Sequence, residues 1–175
     1  WPTYLGALQA FNAYEPTYDQ LSLNGNRTPD GYREAAAKAG GAVKFAYLSS
    51  DFSNPTGETV DRAGREKLLE LADELDVAII EDAAYQNLRY DGEPVPPIMA
   101  LDIARNGGIE NTRTIYSGSF SKTLSPGVRI GWIVAGKYQD EIQRLQTFST
   151  HSACSVTQMA VAAYLENGGY DRHLR

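Results

Sequence analysis

The chain has 175 residues, 42% hydrophobic and 22% charged, which is enough for one domain with its own core and ordinary for a globular protein. Its 16 basic residues are scattered among 22 acidic ones for a formal charge of −6, and no Lys/Arg stripe could follow a phosphate backbone, which argues against nucleic-acid binding by this segment. One cysteine, Cys154, and two unpaired histidines exclude an intrachain disulfide and leave little from which to build a zinc site.

The elements alternate along the chain. Residues 4–11 read as a helix and residues 18–23 as a strand. A helix is expected over 29–39, with Pro29 at its start and Gly40-Gly41 past its end. Residues 43–48 form the next strand pattern. The strongest helix spans about 61–76: Leu68, Leu71, Ala72 and Leu75 recur at spacings of three and four and make one apolar stripe, and Thr59 or Asp61 can cap its first free N–H groups. Residues 77–80 are a continuous apolar run of strand length, as expected for a strand buried on both faces.

The stretch 91–111 contains Pro94, Pro96 and Pro97 and reads as a surface excursion with a short helix near the mouth of any pocket. Strands follow at 114–117 and 130–135, then helices at 137–148 and 155–166. Trp132 reads as a core residue of its strand, and Cys154 as a small buried residue. The apolar run at 130–135 is far too short to span a membrane, and no basic, apolar leader opens the chain, so a cytoplasmic location is expected. Strands separated by helices of this length need crossover connections. The expected fold is therefore α/β, a mainly parallel sheet sandwiched by helices.

In such sheets ligands bind outside the carboxyl ends of the strands. Ser49 to Gly57 follow the strand pattern at 43–48 and include Asn54-Pro55-Thr56-Gly57. Asp82 and Tyr85 follow the run at 77–80, and Ser119, Ser121 and Lys122 follow the strand at 114–117. Taken singly, each has a bland reading. Asn-Pro-Thr-Gly is a good turn, an acid after a strand often caps a helix, a serine-rich loop ending in lysine suits a surface, and Tyr85 can simply pack. Their conjunction at three successive strand ends favours a site.

The same residues carry a resemblance. Asn54-Pro55-Thr56-Gly57, then Asp82-x-x-Tyr85, then Ser119-x-Ser121-Lys122 and Arg129 resemble the class I/II aminotransferases of fold type I, which use pyridoxal 5'-phosphate (PLP). The stretch from Ser119 through Arg129-Ile130-Gly131-Trp132 is very close to that family's lysine signature, and Pro2-Thr3-Tyr4-Leu5-Gly6-Ala7 resembles its segment with the cofactor-stacking aromatic. The similarity is nearest to the branch with 2-aminoadipate and kynurenine aminotransferases.

The resemblance implies a large PLP-binding domain. Lys122 would hold the cofactor as a Schiff base and move a proton between the substrate's Cα and the cofactor. Asp82 would meet the pyridinium nitrogen, Asn54 and Tyr85 the phenolic oxygen, and Ser119, Ser121 and Arg129 the phosphate, with Tyr4 against the ring. Lys38, Lys44, Lys67 and Lys137 are poorer candidates because they fall in or next to helix or strand patterns. Trp1 and Tyr90 could border the substrate space, and a homodimer acting on an amino acid and a 2-oxo acid is implied.

A start at Trp1 and an end within a helical pattern lead to the expectation of an excerpt, the central part of the large domain without its N-terminal phosphate loop and C-terminal small domain. Two alternatives stay open. One is a different PLP reaction, a lyase, decarboxylase or oxidase; the other is the aminotransferase-like sensor domain of a transcription regulator.

Overall fold

A computed structural model describes residues 3–21 and 25–175. Four strands, β1 (Phe45–Leu48), β2 (Ala78–Asp82), β3 (Thr114–Ser119) and β4 (Gly131–Val134), form one sheet in the order β1-β2-β3-β4. The first three are parallel and β4 returns antiparallel to β3, so the sheet is mainly parallel, as the sequence implied.

Helices lie on both faces. α3 (Arg62–Leu75) and α4 (Ile98–Asn106) cover one side, where Leu68, Leu69, Ala72, Val77, Ile79 and Ile98 form the buried core. On the other side α1 (Leu5–Asn12) sets Phe11 edge-on against Phe45 and Tyr47 of β1, with ring centroids 4.9 and 5.6 Å apart. Ile79 and Glu81 point into the α3/α4 layer while Ile80 and Asp82 face the α1 side, the alternation inherent to a strand.

The expected helices occur with adjusted ends. α2 (Pro29–Lys38) has Thr28 as its cap, the hydroxyl accepting from the Gly31 N–H at 3.1 Å. Asp61, not Thr59, caps α3 by accepting from the Gly64 N–H at 2.7 Å, and Asp76 ends it in the left-handed region at φ 53°. We expect Asp61→Ala to lower the free energy of unfolding by ~1 kcal/mol, read from urea denaturation; a loss below a few tenths would mean that water replaces the cap.

Several expectations are corrected. β1 starts at Phe45 rather than Val43. Residues 18–21 are not a strand: Tyr18, Asp19 and Gln20 are exposed, and Asp19 is engaged by the Arg27 guanidinium at 2.9 Å; Ser22 and Leu23 lie outside the described residues. The stripe of α3 is Arg65, Leu68, Leu69 and Ala72, with Leu71 and Leu75 only half-buried, so a charged residue occupies a core position. β2 is not apolar on both faces, since it ends in Glu81 and Asp82.

In the stretch 91–111 the expected short helix is α4 and residues 91–94 are exposed, but α4 is no surface element alone: it buries Ile98, Met99 and Asp102 in the layer behind the sheet. Asp102 holds it there: Oδ2 accepts from the backbone N–H groups of Arg113 and Thr114 at 3.0 and 2.9 Å and from the Thr114 hydroxyl at 2.7 Å. Trp132 is 36% exposed on β4 and packs against Phe120 with centroids 4.8 Å apart, so it is not a core residue. Cys154 is exposed rather than buried.

The remaining helices are α5 (Phe120–Thr123), α6 (Gln139–Ser149), α7 (Ser155–Glu166) and α8 (Gly169–Leu174). A short 3-10 turn, Gly136–Tyr138, precedes α6, which therefore begins after Lys137. Among the described residues no helix is long and apolar enough to cross a membrane, and no cluster could hold a metal ion.

Candidate functional site

Parallel pairing places the C-terminal ends of β1, β2 and β3 along one edge of the sheet, and the candidate residues gather there. Asp82 is the last residue of β2 and Ser119 the last of β3, so both sit at strand tips rather than after them. Lys122 follows in α5, where its side chain is exposed. Asn54 comes from the loop after β1, whose Asn54–Pro55 peptide is cis and whose Gly57 takes φ 74°, a conformation that only glycine adopts readily.

Three groupings are formed. In the first, Asn54 Nδ2 approaches the Tyr85 hydroxyl at 3.5 Å, and Lys122 Nζ stands 5.8 Å from the centre of the Tyr85 ring. An amide, a phenol and an amine from three strand ends therefore meet.

The second joins Ser119, Ser121 and Arg129. Ser119 Oγ accepts from the Ser121 N–H at 3.1 Å and so caps α5, while Arg129 Nη1 donates to Ser121 Oγ at 3.5 Å and to the Pro126 carbonyl at 3.4 Å. Pro126 begins a 3-10 turn that ends with Arg129 in the left-handed region at φ 52°, which turns its guanidinium back to the serine loop. The arginine is exposed, so most of its donors stay free for an anion.

The third is an open depression of about 420 Å³ on the α1 face, with Tyr4, Phe11, Tyr47, Asp82, Ser117 and Ile133 in its wall. Tyr4 is 43% exposed and lies against Gly6, where a Cβ would come within 2.6 Å of the phenol ring. Asp82 is held from two sides: Oδ2 accepts from the Tyr47 hydroxyl at 2.7 Å and Oδ1 from the Ala84 N–H at 3.2 Å. Burial, and then the Asp82 contact, push the Tyr47 phenol far above its usual range, so it remains a donor.

Behind this edge lies a buried ionic cluster. Arg65 is 0% exposed and spends its donors on the Val60, Ser50 and Pro96 carbonyls at 2.8, 3.0 and 3.0 Å and on Asp51 Oδ2 at 2.9 Å. Asp51, 2% exposed, also pairs with Arg89 at 2.9 Å. Glu81, 0% exposed, accepts from the Ser50 hydroxyl at 2.7 Å and from the Ile98 and Met99 N–H groups at 2.9 and 3.0 Å. Burial raises the Glu81 carboxyl above its ordinary range, against the pull of those donors. The cluster fixes the loop that carries Asn54 to the strand that carries Asp82.

Sequence reasoning missed Tyr47, Arg65, Asp51 and Glu81. The signal for Tyr47 was its place in a strand with period-two alternation, but its partner follows only from the β1–β2 register. Among residues considered as pocket neighbours, Tyr90 is 96% exposed and touches none of these groupings, and Trp1 lies outside the described residues.

This arrangement is an α/β sheet presenting an amine, a carboxylate, phenols, hydroxyls and a guanidinium at the strand ends, the edge where ligands bind in such sheets. The sequence profile of the family described as aminotransferase class I and II matches residues 16–172, and the chain belongs to that family. It is 42% identical to aromatic-amino-acid aminotransferase 1 of Thermococcus litoralis, over 99% of this chain and 41% of that protein. It is also 35% identical to an HTH-type transcriptional regulator of Escherichia coli, over 99% of this chain and 36% of the regulator.

The solved structure of Pyrococcus horikoshii kynurenine aminotransferase, in complex with PMP, is 36% identical with a TM-score of 0.84, covering 99% of this chain and 42% of that one. The chain thus spans about two fifths of the length of these relatives, as the 41% coverage of the first of them gives.

Proposed function

We propose that the chain is the central part of the PLP-binding large domain of an aminotransferase that moves an amino group between an α-amino acid and a 2-oxo acid. The observation that carries this reading is the meeting of Lys122, Tyr85 and Asn54 from three strand ends, at the same sheet edge as a tethered Asp82. The donor set fits PLP group by group: an amine for its aldehyde, a carboxylate for its pyridine nitrogen, an amide and a phenol for its phenolic oxygen, and hydroxyls with a guanidinium for its phosphate. When bound, PLP supplies an electron sink conjugated to an aldehyde that condenses with amines.

Lys122 Nζ would hold the cofactor through its aldehyde, and the same nitrogen would serve as the base for the proton on the substrate's Cα. Its exposure leaves it room to swing between those positions. Asp82 holds the proton at the ring nitrogen, and a negative charge there favours the protonated form. Tyr85 Oη and Asn54 Nδ2 donate to the phenolic oxygen. Ser119, Ser121 and Arg129 would hold the phosphate, the arginine supplying paired N–H groups, and Tyr4 would supply an aromatic face to the ring. A homodimer in the cytoplasm completes the proposal.

The test is chemical. Borohydride treatment of the full-length protein with PLP, followed by digestion and mass analysis, is expected to leave a pyridoxyl group on the peptide containing Lys122. An unmodified peptide sinks the assignment.

A second reading has its own support, since the similarity to HTH-type regulators also extends over 99% of the chain. In it the same site senses PLP or an amine without turnover. Release of a 2-oxo acid together with pyridoxamine phosphate favours the enzyme, and its absence with PLP still bound favours the sensor.

A further inference from the structure

Tyr47 has no role in the assignments made so far, yet among the described residues it is the one side chain that hydrogen-bonds to Asp82. It stands in β1 in register with Ile80 of β2, so its phenol extends along the sheet face to the residue two further on. The bond to Asp82 Oδ2 is 2.7 Å, the ordinary length for a well-formed hydroxyl bond, and the Ala84 N–H donates to the other oxygen at 3.2 Å. Phe11 packs edge-on against the Tyr47 ring, 5.6 Å between centroids, and limits its rotation. A carboxylate has about four lone-pair sites, so each oxygen of Asp82 still has one to offer.

We infer that Tyr47 is a positioning residue for Asp82: its hydroxyl fixes the carboxylate in the orientation that receives the cofactor's ring nitrogen. The inference rests on the reading that Asp82 meets that nitrogen. Without the phenol, the carboxylate is anchored only by the 3.2 Å backbone contact and regains rotation about its terminal bond. The ordering that the native site has already made must then accompany binding. Burial raises the phenol above its usual range, so it stays a donor to the carboxylate. Tyr47→Phe removes one oxygen and keeps the ring against Phe11, which separates the hydrogen bond from packing.

The experiment is a double-mutant cycle in the full-length protein, reading the dissociation constant of PLP by fluorescence titration of the apoprotein. Tyr47→Phe is expected to weaken PLP binding about tenfold, the scale of one hydrogen bond to a charged group. In an Asp82→Ala background the same change is expected to do less than about twofold, because the carboxylate it serves is gone. An equal weakening in both backgrounds would show a packing role, and no weakening in either would show no role; each overturns the inference. A second readout is the resonance of nitrogen-15 in the PLP ring, expected to move toward the unprotonated position in Tyr47→Phe and to be the same in Asp82→Ala with or without it. If the wild-type protein takes up no PLP, the function proposed above falls first, whereas uptake with an uncoupled Tyr47 removes this inference alone.

Discussion

Lys122→Ala is expected to abolish turnover, by about 10⁴-fold or more, equivalent to ~5.5 kcal/mol of barrier, while leaving the fold intact. Two contributions are lost together: the nitrogen that bonds the cofactor and the base that carries the Cα proton. Stability should barely move, because Lys122 is exposed and makes no ion pair among the described residues; such surface changes stay within about 0.5 kcal/mol. Lys122→Arg keeps the charge and much of the length, yet a guanidinium holds its protons permanently and has no free electron pair for either task. It is therefore expected to be as inactive as the alanine variant. Near-native turnover in either variant, measured as 2-oxo acid formed, would move the chemistry to another residue.

The second large effect concerns folding. Arg65→Leu preserves the apolar character that α3 shows at its neighbouring buried positions, yet we expect it to lower the unfolding free energy by about 3–5 kcal/mol. Asp51 and Glu81 would stay buried with less compensation, and the Val60 and Pro96 carbonyls would lose their guanidinium donors. Arg65→Lys is expected to recover little, since a single ammonium cannot reach carbonyls on both sides and the Asp51 carboxylate at once. Urea unfolding monitored by circular dichroism reads the change. A loss below about 1 kcal/mol would show that Arg89 and the backbone donors to Glu81 suffice without Arg65.

The candidate site was legible to different depths. Lys122, Asp82, Tyr85, Asn54 and the Ser119–Arg129 loop could be found because each follows a strand pattern, and a parallel sheet brings such positions to one edge whatever its internal register. Tyr47 could not be found that way, because its partner depends on which residue of β2 lies beside it. Arg65 was hidden by its type. A charge at a stripe position reads as a break in the apolar face, and only the backbone carbonyls converging on it explain its burial.

The failed strand at residues 18–21 has a related cause. Its β-prone tyrosine and leucine satisfied a local pattern, but Asp19 and Gln20 find side-chain and solvent partners there. Trp132 was assigned to the core by type, whereas β4 sits at one margin of the four-stranded sheet and its residues remain accessible. The short helix within 91–111 was expected, but its burial was not, because the buried Asp102 that ties it down gives no periodic signal.

The strand order has a consequence for biogenesis. Every strand lies beside the one synthesised just before it, so no pairing has to wait for a segment still to be translated. The layer can therefore accrete in step with emergence from the ribosome, with modest loop-closure entropy at each addition. Lys122 emerges directly after the third strand, when the loop carrying Asn54 and the strand carrying Asp82 are already made.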